Sequence, residues 1–152
     1  TSALLFALEL AQINKPLTVI TNGVREALAL VKNDSLKVIL APGSIDHLEG
    51  FTWGHETTDF LSNFNADLTI FFADGLTVHG ASEADSRTVW TIKMMLQQSD
   101  QNMLLIDHFR FERQGVHNLC QLNQLDNIIS DRRPDSNLYD SLLEKRINFY
   151  CV

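Results

Sequence analysis

The chain has little of what nucleic-acid surfaces and membrane spans require. Of its 152 residues, 12 are basic and 19 acidic, which gives a formal net charge of -7. Because phosphate contacts need clustered Lys and Arg, we do not expect these residues to touch DNA. No apolar run approaches the roughly 20 residues of a membrane span, and no charged leader with a cleavage site is visible. We expect a soluble, cytoplasmic protein with no membrane contact.

Cysteine is scarce, and histidine shows no metal-binding pattern. The two cysteines, Cys120 and Cys151, form no CxxC pair, so we expect reduced thiols instead of a disulfide framework or a zinc site. The histidines have neither HxxxH nor HxH spacing. The sequence therefore predicts no metal ion and no cofactor.

The common short motifs of catalysis and nucleotide binding are missing as well. No GxSxG elbow places a serine nucleophile after a strand, which disfavours acyl-transfer hydrolysis. Neither GxGxxG nor GxxxxGK[ST] occurs, which removes the two commonest cradles for nucleotide phosphates.

What the chain does have is a regular alternation of strand-like and helix-like segments. Its strand-like runs are short and apolar throughout, which is typical of a parallel sheet covered on both faces. The fold class predicted is α/β, with three layers and a mostly parallel sheet with helices on both faces. The predicted helices are 2–13, 22–34, about 56–64, 82–100 and 137–146; the predicted strands are 17–21, 36–43, 66–72, 102–107, 125–131 and 147–152.

Three local expectations come from residue patterns. Residues 2–13 are apolar or small on nearly every helical face, which predicts a well-buried helix. Asn22 is placed to cap the first turn of the second helix. Trp90, Met94 and Met95 lie on the long helix, where we expect them in the core.

Polar and glycine residues follow four predicted strands, where ligands bind in open parallel sheets. These strand ends carry Thr21-Asn22-Gly23, Pro42-Gly43, Asp74-Gly75 and Asp107 with Arg110. Backbone N–H groups there can hold an anion, and an arginine fork suits a phosphate. Each residue also has a structural alternative: Asn22 as a helix cap, Asp74 and Asp107 as turn formers, Arg110 as a snorkelling side chain.

The order of these segments resembles the C-terminal effector-binding domain of DeoR-family bacterial repressors. That domain is similar in fold to ribose-5-phosphate isomerase, glucosamine-6-phosphate deaminase and the CoA transferases. The resemblance covers nearly the whole chain and is carried by "TSALLFALEL", "LTVITNGVREALAL", "VILAPGSIDHLEGFTWG", "FNADLTIFFADGL", "MLLIDHFRF" and "LDNIISD".

The resemblance implies a non-enzymatic domain over residues 1–152 that binds a phosphorylated sugar or related metabolite. It would be a homo-oligomer, and it would reach DNA only through an absent N-terminal helix-turn-helix domain. The implied ligand-binding residues are Thr1, Thr21, Asn22, Gly23, Gly43, Asp74, Gly75, Asp107 and Arg110.

The chain departs from the family pattern at several of these positions. Pro42 and Phe72 stand where the family has glycine, Arg110 where it has lysine, and Gly23 where serine is common; the family's Glu and Lys pair has only a poor counterpart in Glu83 and Arg87 or Lys93. Two alternatives stay open. One is an isomerase or deaminase with Asp74 as general base, and the other is an oligomerisation domain with a decayed pocket.

Overall fold

The computed structural model describes residues 1–135 and 137–152 in full and residue 136 by its backbone. The chain divides into two compact units, Thr1–Asn63 and Phe64–Val152. Helices alternate with parallel strands in both units, so the prediction of an α/β fold with a mostly parallel sheet is confirmed. Among the described residues, no helix is both long enough and apolar enough to cross a bilayer.

The first unit is built on two parallel strands and the helices that precede and join them. Its elements are α1 (Ser2–Leu10), β1 (Leu17–Thr21), α2 (Val24–Leu30), β2 (Leu36–Leu40), β3 (Ser44–Ile45), β4 (Thr52–Trp53) and α3 (His55–Leu61). β1 and β2 pair in register from Leu17↔Leu36 to Thr21↔Leu40. A small core forms around Ala7, Ala29, Leu30 and Leu36.

The first helix is shorter and more exposed than its apolar sequence predicts. It ends at Leu10, and Ala7 is its one buried residue. Leu5 keeps 65% of its surface exposed and Leu8 keeps 45%, so the prediction of a well-buried helix is wrong. The reason is that the core of this unit needs only one side of the helix, on which Leu4 and Ala7 lie.

The second unit contains a four-stranded parallel sheet. Its strands are β5 (Ala66–Phe72), β8 (Ser99–Leu105), β10 (Asn127–Ser130) and β11 (Asn148–Cys151), in the spatial order β11-β10-β8-β5. The helix α4 (Ser86–Gln97) joins β5 to β8 along the chain, and α5 (Ser136–Glu144) joins β10 to β11. These four strands and two helices fall on segments that the alternating pattern predicts, but β8 begins at Ser99, within the helix predicted over 82–100, so the predicted end of that helix is wrong.

A second, antiparallel sheet in this unit was not predicted. It consists of β6 (Gly75–Thr77), β7 (Gly80–Glu83) and β9 (His117–Cys120). The predicted helix start at residue 82 is therefore wrong, because Ser82 and Glu83 belong to β7. The helix begins only at Ser86, where Asp85 caps it by accepting from the Arg87 N–H at 2.9 Å.

The long helix faces the core with a different stripe from the one predicted. Val89 is buried, and Ile92 and Leu96 pack against the same core at helical spacing. Trp90 lies one position off this stripe and is 67% exposed, so its predicted core position is wrong. Met94 and Met95 are only partly buried.

Candidate functional site

Three aspartates lie in a row at the carboxyl edge of the parallel sheet. Phe72 of β5 pairs with Leu105 of β8, and Leu105 pairs with Ile129 of β10. Each of these is followed two positions later by an aspartate, respectively Asp74, Asp107 and Asp131. Because parallel strands in register end side by side, the row follows from the pairing, and it lies where ligands bind in such sheets.

Arg110 joins the first two aspartates of this row. Its Nη1 donates to Asp74 Oδ1 at 2.7 Å, and its Nε donates to Asp107 Oδ2 at 3.1 Å. Asp107 also caps the short 3₁₀ helix that carries Arg110, because its Oδ1 accepts from the Phe109 N–H at 3.1 Å. The guanidinium is therefore held by two carboxylates, and the snorkelling alternative does not describe it.

Asp74 reaches across to a different element instead of capping its own loop. Its Oδ2 accepts from the N–H of Ala84, which follows β7, at 3.0 Å. The side chain of Glu83 hydrogen bonds to the same carboxylate and lowers the pKa of Asp74, with the Ala84 N–H and Arg110 acting in the same direction against burial. The contacts of the Asp74 carboxylate with Ala84 and Arg110 therefore do not fit the turn alternative, in which the side chain caps its own loop.

Glu83 is the acid that shares a proton with Asp74. Burial, followed by the hydrogen bond to Asp74, raises the pKa of Glu83 to about 7. When two close carboxyl groups both ionise, their negative charges repel each other, so one of them keeps the proton up to roughly neutral pH. We name Asp74, Glu83, Asp107 and Arg110 the strand-end cluster.

The shared proton predicts a fall in stability with rising pH. An acid whose pKa is higher in the folded chain binds more protons when folded, so stability declines between the unfolded value, near 4.5, and about 7. Glu83 is only partly buried, and after screening by solvent we expect a loss of about 1–2 kcal/mol. The measurement is urea unfolding of the chain and of Glu83→Gln at pH 5 and pH 8.

Glu83→Gln should lose most of this decline, because glutamine does not titrate. Glu112→Gln is the matched control, since Glu112 is exposed and should keep the pH profile of the parent chain. Equal profiles for the parent and Glu83→Gln would contradict the shared proton.

Asp131 and His108 form a second pair beside the cluster, which the sequence analysis missed. His108 Nδ1 lies 2.5 Å from Asp131 Oδ2, and the His108 N–H donates to Asp131 Oδ1 at 2.7 Å. The hydrogen bond from His108 lowers the pKa of Asp131. The signal was available, because "LDNIISD" ends in aspartate just as the strands leading to Asp74 and Asp107 do.

Gly75 allows two segments to approach closely next to the cluster. A Cβ built on Gly75 would lie 2.0 Å from the backbone oxygen of Arg113 and 3.1 Å from Ser82 Oγ. A side chain does not fit here, whatever the backbone angles. Packing therefore explains the glycine that follows Asp74.

The loop after β1 is held by hydrogen bonds within the first unit. Thr21 Oγ1 accepts from the Gly23 N–H at 3.0 Å, and the Val24 N–H donates to the Gly50 carbonyl at 2.8 Å. The predicted cap role of Asn22 is wrong. Its Nδ2 donates to the Thr52 carbonyl at 3.0 Å, and Gly23 takes the N-cap position of α2.

Gly43 and Thr1 also have structural roles in the first unit. Gly43 has φ +146°, and a Cβ there would lie 2.1 Å from Thr57 Oγ1. Thr1 caps α1, accepting from the Leu4 N–H at 3.4 Å.

Of the nine predicted ligand-binding residues, the second unit brings together Asp74, Gly75, Asp107 and Arg110. The first unit holds the other five: Thr1, Thr21, Asn22, Gly23 and Gly43. Within the residues that the structure describes, no three His, Cys, Asp or Glu side chains are arranged to hold a metal ion.

Fold and site together define a class of α/β domains that gather charged side chains at the carboxyl edge of a parallel sheet. More narrowly, the chain belongs to the DeoR C-terminal sensor domain family, whose model matches residues 1–132.

Individual relatives are transcriptional regulators of bacteria. The chain is 28% identical over 132 residues to the glycerol-3-phosphate regulon repressor of Escherichia coli, covering 86% of this chain and 52% of the relative. It is 27% identical over 125 residues to the HTH-type transcriptional repressor GlcR of Bacillus subtilis, covering 82% and 48%. It is 28% identical over 128 residues to the L-fucose operon activator of E. coli, covering 84% and 52%. The chain thus spans about half the length of these relatives.

Proposed function

We propose that this chain is the effector-sensing part of a bacterial transcriptional regulator and that it binds a phosphorylated sugar or related metabolite. The observation that carries the proposal is the strand-end cluster, in which Asp74, Asp107 and Arg110 meet beyond the ends of β5 and β8. Membership of a sensor domain family supports it. So does the name of a relative that controls a glycerol-3-phosphate regulon.

The carboxylates of the cluster suit the hydroxyl groups of a sugar. Each ionised oxygen accepts hydrogen bonds, and a charged hydrogen bond contributes about 1.5–3 kcal/mol. Arg110 already donates to Asp74 and Asp107, so its first role is to fix these two acceptors in place. The residues predicted in the first unit, Thr1, Thr21, Asn22, Gly23 and Gly43, stay predictions of ligand contact.

The effector would act by shifting a conformational equilibrium of the regulator. A ligand changes such an equilibrium only through different affinities for the two states. A sugar hydroxyl that hydrogen bonds to Asp74 in place of Arg110 would break the contact between these two residues. Such a local change would distinguish the bound state from the free state. DNA recognition would belong to a helix-turn-helix domain outside these residues, and the regulator would work in the cytoplasm.

Calorimetric titration tests the proposal directly. The ligands are glycerol-3-phosphate and phosphorylated pentoses, hexoses and sugar acids, each paired with its unphosphorylated form as the matched control. We expect saturable binding of at least one phosphorylated compound and weaker binding of its partner. The proposal is overturned if neither the chain nor a longer form that extends upstream of Thr1 binds any of these compounds saturably.

A second candidate function is favoured by the pairing of Asp74 with Glu83. Enzymes that move protons use two acids whose pKa values are pushed apart, and here one pKa is lowered while the other is raised to about 7. The chain would then be an isomerase or deaminase, with Asp74 as general base. Turnover of ribose-5-phosphate or glucosamine-6-phosphate would establish this function, and its loss in Glu83→Gln would assign it to the pair.

We also propose that the chain forms a homo-oligomer. Leu28 of α2 and Val31, the residue that caps the end of α2, are 63% and 61% exposed. They lie three positions apart and Val31 keeps a helical backbone conformation, so they share one helix face. Leu5 and Leu8 of α1 are exposed with the same spacing. Apolar side chains of this size on one face are typical of a surface that another subunit covers.

Sedimentation velocity should show a dimer or larger species for the chain. Leu28→Glu should shift it towards monomer, because a charge at this face opposes burial. Leu143→Glu, at another exposed leucine, is the control and should leave the assembly unchanged. A strictly monomeric chain at high concentration would contradict homo-oligomer formation.

A further inference from the structure

A cleft in the second unit lies at the opposite edge of the parallel sheet from the strand-end cluster. Its volume is about 670 Å³, and none of the four cluster residues lines it. Gln124 and Lys145 line it and come shortly before the first residues of β10 and β11, so the cleft opens at the amino ends of the strands. It is therefore separate from the site proposed above.

The charge in this cleft is opposite to that of the whole chain. The chain carries a net charge of -7, yet no acidic residue lines the cleft. Lys93 and Lys145 contribute ammonium groups, and His79 contributes an imidazole. Such a local reversal of sign attracts anions to this edge of the sheet.

Neither lysine has its charge neutralised by the protein. In the part of the chain that the structure describes, no carboxylate lies within salt-bridge distance of Lys93 or Lys145. Lys93 lies over the ring of Trp90, with Nζ 5.3 Å from the ring centroid. A cation–π contact of this kind is weak and leaves the ammonium free to meet an anion.

Amide side chains provide further donors around the lysines. Asn118, Gln121 and Asn123 line the cleft together with Gln114 and Gln124. Cys120 also lines it, and burial raises the pKa of this thiol to about 11, so the thiol stays neutral and adds no negative charge. The donor set therefore consists of cations and amides, which matches the oxygens of a phosphate group.

We propose that this cleft is a second anion-binding site, which takes a small phosphate-bearing molecule between Lys93 and Lys145. Two ammonium groups, one on α4 and one on the residue that follows α5, suit a ligand with two anionic groups, such as a diphosphate or a phosphorylated acid. This site does not depend on the effector site at the carboxyl edge, because the two share no residue.

Amide spectra of the ¹⁵N-labelled chain test the proposal, with inorganic pyrophosphate as the probe at constant ionic strength. We expect saturable shifts at Asn118, Gln121 and Asn123 and at the Trp90 indole, because a bound anion draws Lys93 away from the ring. The double variant Lys93→Gln/Lys145→Gln should weaken binding at least about tenfold. Lys15→Gln/Lys32→Gln is the matched control, since it removes the same charge from the first unit and should bind like the parent.

Shifts that do not saturate, that appear elsewhere, or that persist unchanged in Lys93→Gln/Lys145→Gln would overturn the site. If the double variant does not fold, Lys145→Gln alone serves, because Lys145 is exposed. Loss of pyrophosphate binding with retained effector binding would separate this site from the proposed effector function.

Discussion

Replacing Gly75 with alanine is expected to destabilise the second unit by about 3 kcal/mol, the upper end of the usual cost of overpacking. The added Cβ would lie 2.0 Å from the backbone oxygen of Arg113, and 2.6 Å from its carbonyl carbon. Backbone atoms cannot swing aside as a side chain end does. One of the two segments must therefore move, and the antiparallel pairing of β6 with β7 moves with it.

Gly23→Ala is the control for this substitution. The three atoms nearest to a Cβ at Gly23 all belong to the side chain of Glu26; its carboxylate can rotate away, and its Cβ, at 3.2 Å, needs to give by only a few tenths of an ångström. The Gly23 backbone has φ -85°, which alanine adopts freely. Urea unfolding followed by circular dichroism should show a change within about 0.5 kcal/mol for Gly23→Ala. Similar stabilities for Gly75→Ala and the parent chain would contradict the close approach.

Replacing Asp74 with alanine is expected to weaken effector binding tenfold or more while the chain stays folded. One lost charged hydrogen bond costs about 1.5–3 kcal/mol, and 1.4 kcal/mol is a factor of ten in affinity. The substitution also frees Arg110 from one of its two carboxylates, which loosens the remaining acceptor, Asp107. Calorimetry with the tightest ligand of the panel measures the loss.

Asp67→Ala is the matched control for Asp74→Ala. Asp67 is an exposed carboxylate on the same strand, near its amino end, so its removal changes the net charge equally without touching the cluster. We expect parent-like affinity. An unchanged affinity in a folded Asp74→Ala chain would show that Asp74 is only a structural residue.

The sequence was enough to predict the parallel elements. β1 and β5 have the predicted bounds, and α5 and β11 match theirs within a residue or two at each end. These segments are short apolar runs or a periodic helix, each bounded by turn residues, so local pattern and tertiary burial point the same way. The resemblance also led to the correct family, because the order of several short motifs holds more information than any one of them.

The antiparallel sheet was missed because its strands lack a strand-like pattern. β6 and β7 have three and four residues, and both contain glycine. "GASE" in β7 owes its strand conformation to pairing with β6 on one side and β9 on the other. Non-local hydrogen bonds of this kind leave no periodic trace in the sequence.

The composition of the candidate site was predictable in part. Asp74, Asp107 and Arg110 could be predicted from their positions after strands, since adjacent parallel strands place the residues that follow them side by side. Glu83 was noted only as a poor match, because its place beside Asp74 depends on the unpredicted hairpin of β6 and β7. The wrong prediction that Asn22 caps a helix has a similar origin. Its side chain donates to the carbonyl of Thr52, which lies 30 positions away in the sequence.

The most direct test of the effector proposal is to map the binding of the tightest phosphorylated ligand on amide spectra of the chain. The Ala84 and Phe109 N–H groups donate to Asp74 and Asp107, so their signals report the strand-end cluster. We predict that both signals shift with the same saturation curve and that Asp74→Ala abolishes the shift at Ala84. Saturable binding that leaves both signals in place would contradict an effector site at these strand ends.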